Sequence, residues 1–86
     1  MKVARTNRFR KAWDQLTEDQ KTQARKAVKH LTMDLRYPAL NVKKMQGTKQ
    51  LWEARVSRSL RLTFQISGDV LVLRNIGYHD ETLKHP

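Results

Sequence analysis

Arg55, Arg61, Arg74 and the adjacent Lys43 and Lys44 supply cations, and the run Tyr78-His79-Asp80 supplies groups that move protons. An arginine can hold a phosphate through two parallel hydrogen bonds and still face charge that develops on it. His79 has the one side-chain type whose ordinary pKa, about 6.5, lies near working pH. Asp80 can orient an imidazole or act as a base itself, and Tyr78 can stack on a ring or donate a hydrogen bond. Lys43, Lys44 and Lys49 suit phosphate affinity better than chemistry. Together these make a candidate set for holding a phosphodiester with an acid–base partner beside it. One geometric condition applies: on an extended chain His79 and Asp80 point to opposite sides, so they cooperate only across a turn.

Composition narrows the setting. The chain has 86 residues, enough for one small core, so residues 1–86 read as a single domain. Eighteen Lys and Arg stand against eight Asp and Glu, a formal charge of +10. A field of that strength attracts polyanions: nucleic acid, an acidic protein or anionic lipid. There is no cysteine, which excludes disulfides and thiolate metal sites and fits a reducing cytoplasm. Three scattered histidines with no acidic or cysteine cluster do not form a metal site, and no cofactor motif is present. No stretch approaches the roughly 18 apolar residues of a membrane span, and the N-terminus has no apolar core of a signal peptide. No role at a membrane is therefore expected.

Several elements must position these groups. Residues 2–6 are half apolar and read as an edge strand. Thr6 or Asn7 suits a helix cap, and Phe9, Ala12, Trp13 and Leu16 then repeat on one helical face. Thr17-Glu18-Asp19-Gln20 matches a capping box, with carboxylates at the positive end of a second helix running to about Leu35. Its apolar face is Ala24, Ala27 or Val28, Leu31 and Leu35. Arg25, Lys26 and Lys29 fall outside it as a solvated face, with His30 a surface histidine. The two helices form a hairpin, closed off at Tyr37-Pro38. "ALNVKKMQGTKQ" has no period and reads as a loop.

After that loop the period becomes two. Trp52, Ala54 and Val56 share one face, and Leu60, Leu62, Phe64 and Ile66 the same face of the next strand. Arg55, Arg61, Glu53, Thr63 and Gln65 fall on the other. Ser67-Gly68-Asp69 is a tight turn with Gly68 free to take positive φ. "VLVLRNI" is apolar on both faces, as in an interior strand. Its parity is open: either Arg74 joins the polar face, or Leu71, Leu73 and Asn75 do. Gly77 would let the chain bend after it. The expected fold is α+β with order β-α-α-β-β-β: a helical hairpin on one face of a mainly antiparallel four-stranded sheet.

These residues carry a resemblance. Leu-Asn-x-Lys-Lys-x-x-Gly, then Leu-Trp-x-x-Arg-Val, then Leu-Arg-Leu-x-Phe, an apolar strand and Ile-Gly-x-His-Asp together resemble the RelE/ParE superfamily of type II toxin–antitoxin toxins. The match runs from about residue 3 to residue 83. It implies the same element order and a toxin neutralised by an acidic antitoxin that folds on binding. RelE-like members cleave mRNA, commonly on the ribosome, and so inhibit translation. ParE-like members poison DNA gyrase without cutting RNA. The resemblance to RelE implies a metal-independent endoribonuclease with Arg55, Arg61, His79 and Asp80 catalytic and Lys43, Lys44, Lys49, Arg74 and Tyr78 contacting RNA. The alternatives are a gyrase poison and a non-toxic basic module that binds nucleic acid. The Tyr-His-Asp ending departs from the Arg or Tyr of the most active ribosome-dependent toxins, and leaves the catalytic assignment open.

Overall fold

A computed structural model describes residues 1–47 and 50–86. Its order is β1 (Lys2–Arg5), α1 (Asn7–Asp14), α2 (Glu18–Met33), a 3-10 turn (Pro38–Leu40), β2 (Lys43–Lys44), β3 (Trp52–Arg55), β4 (Leu60–Ser67), β5 (Val70–Tyr78) and α3 (His79–Lys84). The strands form one mixed sheet in the order β1-β5-β4-β3-β2. The expected α+β class and order hold, with a fifth strand added. Lys43 and Lys44, read as loop, pair antiparallel with Glu53 and Trp52. Two residues are too few for alternation to show in sequence. Lys49 lies outside the described residues.

Thr6 makes the first corner. Its backbone N–H donates to Leu73 O at 3.0 Å, ending the parallel β1–β5 ladder. Its hydroxyl accepts from Phe9 N at 3.1 Å, capping α1, and donates to Arg74 O at 2.9 Å. The capping box at α2 is present as expected, with Gln20 N bonded to the Thr17 hydroxyl and Thr17 N to the Gln20 amide oxygen. The second helix stops at Met33, short of Tyr37-Pro38, because Asp34 turns to extended backbone at φ −158°. Leu35 nonetheless still packs on the core.

One face of the sheet carries the core. Phe9, Ala24, Ala27 and Leu31 from the hairpin meet Ala54, Leu60, Leu62, Phe64, Leu71, Leu73 and Ile76. The open question of parity is settled by a bulge. Thr63 faces Asn75 while Phe64 faces Leu73, so Arg74 is an extra residue on β5. Leu71, Leu73 and Ile76 therefore all point to the helices, while Arg74 and Asn75 both serve the opposite face.

That opposite face is not open along its length, as the sequence implied. The short helix α3 lies over it. Asn75 Nδ2 donates to His85 O at 2.7 Å and Arg74 Nε to Pro86 O at 3.3 Å. Thr82, the buried residue of α3, sits over Gly77. Gly77 therefore does not bend the chain: it lies within β5, and a Cβ there would stand 2.8 Å from Thr82 Oγ1. The glycine is required for close approach. Gly77→Ala should destabilise the fold by about 1–3 kcal/mol through this overlap, measured by urea denaturation. The cost should shrink in a Thr82→Ala background, where the obstructing hydroxyl is gone.

Candidate functional site

The polar face is built on cross-strand pairs. Arg55 on β3 faces Arg61 on β4, Glu53 faces Thr63, and Lys43 on β2 faces Glu53. Thr63 faces Asn75 and Arg61 faces Gly77 on β5. Two arginines side by side repel unless something shares their charge. Here the two are held differently. Arg55 is exposed. Arg61 Nη1 donates to the carbonyls of Ser57 at 2.8 Å, Leu60 at 3.1 Å and Arg58 at 3.3 Å, which fixes it over the β3–β4 turn. One end of Arg61 thus closes its own hairpin.

His79 reaches this face by alternation. Its N–H donates to Ser59 O at 3.0 Å, so it continues the ladder two positions beyond the Arg61–Gly77 pair and on the same side. The chain then becomes helical, and this turn satisfies the condition set by the sequence: His79 Nδ1 lies 3.2 Å from Asp80 Oδ1. With Nδ1–H donating to the carboxylate, Nε2 is left to exchange a proton. Both side chains are open to solvent, at 51% and 92%.

The other candidates divide. Lys43 belongs to the polar face, 3.9 Å from the Glu53 carboxylate. Lys44 faces Trp52 and so falls on the helix side of the sheet. Arg74 joins the polar face, with Nη1 bonded to Gln65 Oε1 at 2.9 Å. Tyr78 faces Leu60 and is set away from Arg55 and Arg61, 62% exposed. It borders a cavity reached from α1 and the α1–α2 turn, beside Arg8, Leu16 and Gln20. Among the described residues no group of three His, Cys, Asp or Glu side chains is placed to hold a metal ion.

Glu53 is a functional group that its residue type and spacing alone do not mark out. It is 8% exposed, set among cations, and lowers the charge of the face at its centre. The signal lies in its setting: it is the one carboxylate on the polar side of β3 or β4.

No protein-family model matches the chain, and no curated protein is significantly similar to it. Solved structures are similar to it over nearly its whole length. A copper-bound mutant toxin from Helicobacter pylori superposes at a TM-score of 0.78 with 21% identity, over 94% of this chain and 97% of that one. A chain of the RelB–RelE antitoxin–toxin complex of Methanococcus jannaschii gives 0.78 with 15% identity, over 98% and 100%. YafQ from Escherichia coli gives 0.79 with 15% identity, over 92% and 93%. The chain has the RelE/ParE toxin fold. At these identities the shared property is the backbone arrangement, and the chemistry must be argued from the side chains present.

One side chain of the RelE/ParE-like sheet has no partner. Thr63 is fully buried beside Glu53 and Asn75, and among the described residues its Oγ1 finds no hydrogen-bond partner. A buried, unpaired hydroxyl costs about 1–3 kcal/mol. Thr63→Val should therefore raise stability by about 1 kcal/mol or more, read as a higher denaturation midpoint.

Proposed function

We propose that this protein is the toxin of a type II toxin–antitoxin system, a RelE-like endoribonuclease that inhibits translation by cutting mRNA. The observation that carries this reading is the His79–Asp80 pair on the side of the sheet that bears Arg55, Arg61 and Lys43. Cleavage by transphosphorylation makes a bond from the ribose 2′-oxygen to phosphorus and breaks the bond to the 5′-oxygen. A base takes the 2′-hydroxyl proton, cations share the charge of the phosphorane, and an acid protonates the departing 5′-oxygen. Arg55 and Lys43 hold the phosphate; Arg61 adds charge from a fixed position. His79 moves the proton, kept in one tautomer by Asp80. A gyrase poison of ParE type would use the same basic face without needing an imidazole–carboxylate pair, so His79 separates the two readings.

On tight induction, mRNA 5′-end mapping should show new cleavage sites. Arg55→Ala and His79→Ala should each lower cleavage by roughly 100-fold or more, the first through loss of a cation that stabilises the phosphorane and the second through loss of a general acid or base. Arrested growth over intact mRNA, with double-strand DNA breaks, would instead establish the gyrase reading.

The partner reading rests on a second surface. Between β1, α1 and α2 lies a cleft of about 720 Å³ with Val3, Phe9, Trp13, Val28 and Leu73 among its lining residues. Arg5, Arg10, Arg25 and Lys29 also line it, against Asp14 alone. Arg25 lies 5.5 Å from the Trp13 ring centre, leaving its charge at the mouth. An apolar bed edged by cations fits an acidic amphipathic segment that folds on binding. The RelB–RelE complexes among the similar structures support such a partner. Arg25→Glu should weaken binding of a cognate antitoxin by about ten-fold or more, and growth arrest should then persist when the two are co-expressed.

A further inference from the structure

A third surface, away from both the cleft and the α3-covered strip, carries an aromatic pair. His30, in α2, and Tyr37, in the segment after it, stack with ring centres 4.2 Å apart and planes 8° from parallel. Tyr37 remains 39% exposed. Both rings line a cavity of about 290 Å³ that also takes in Lys26 and Arg55. No carboxylate among the described residues lines it. Two parallel rings leave one outer face each for a third ring, and the two cations of the lining suit a phosphate joined to that ring.

We propose that this cavity holds an unpaired nucleobase of the RNA strand, stacked on the Tyr37–His30 pair. The inference rests on the RNA reading above and extends it from phosphate to base. Arg55 makes the connection: it faces Arg61 on the polar side of the sheet and also borders this cavity. A phosphate held at Arg55 therefore sits beside the cavity that the stack lines. Base–aromatic stacking is worth about 1–3 kcal/mol per base and is tolerant of sequence. The site thus adds affinity that does not depend on salt, beside phosphate contacts that do. A purely local role, in which the stack closes the chain after α2, would affect stability and leave RNA binding unchanged.

The test uses the whole protein and short single-stranded oligonucleotides with 2′-O-methyl sugars, which cannot be cut by attack of the 2′-oxygen. 2-Aminopurine is placed at each position in turn. Quenching at one position on binding of the unaltered protein is expected; no quenching at any position overturns the proposal without need of a variant. Tyr37→Leu keeps apolar bulk but cannot stack. It should bind roughly ten-fold more weakly, with the slope of affinity against salt unchanged, and Tyr37→Phe should recover the affinity. Equal affinity in Tyr37→Leu overturns the base site while leaving the cleavage reading intact. Position-specific quenching together with absent mRNA cleavage supports the base site and refutes the nuclease. A protein that binds no oligonucleotide overturns the base site, while the cleavage reading stands or falls on the mRNA 5′-end mapping.

Discussion

The extra residue at Arg74 is the constraint on which the two-faced sheet depends. On an unbroken β5, alternation would set Leu71, Leu73 and Asn75 on one side and Arg74, Ile76 and Tyr78 on the other. A polar amide would enter the core and Ile76 would leave it. The bulge shifts the parity by one, so that the apolar residues before and after it all reach the helices. It also aligns Gly77 with Arg61 and carries His79 to that same side. A bulge disrupts its own ladder, and here Thr6 answers part of that cost with its hydroxyl on Arg74 O. The residue that caps α1 thus also secures the irregularity that orients the far end of β5.

The basic residues of the polar face differ in freedom, and the difference follows from local hydrogen bonding. Arg61 and Arg74 are tied, the first to turn carbonyls and the second to Gln65 and the chain's last residue. Arg55 is exposed, and among the described residues Lys43 has only a long contact to Glu53. A tied arginine presents a fixed charge at little further entropy cost, whereas a free one must be ordered by whatever it binds. The face therefore combines preset charge with adaptable charge, an arrangement suited to a flexible polyanion whose phosphates are not rigidly spaced.

Much of this was legible in the sequence, and for clear reasons. The capping box, the apolar repeat of Phe9, Ala12, Trp13 and Leu16, and the alternation in β3 and β4 are local signals that the fold does not override. The element order and the sidedness of Arg55 and Arg61 follow from them. What stayed hidden depended on contacts distant along the chain. The parity of β5 turned on one inserted residue. Gly77 read as a bend because a glycine required for close approach cannot be told from a flexible one without its neighbour, Thr82. The helix α3 is absent from the expected order because a six-residue helix with one buried side chain leaves almost no apolar pattern. Residue type alone marks His79 and Asp80 as a pair; only the helical turn beginning at His79 makes them neighbours.

A sheet edge exposes unpaired peptide groups that can template growth with another chain. Here the two outer strands are four and two residues long. One reads Lys-Val-Ala-Arg and the other is simply Lys-Lys. A second molecule approaching either border meets positive charge on a protein that already carries +10. The same lysines that suit the molecule to polyanions thus act as gatekeepers against its own kind, and they keep a five-stranded sheet from recruiting further strands when no partner covers it.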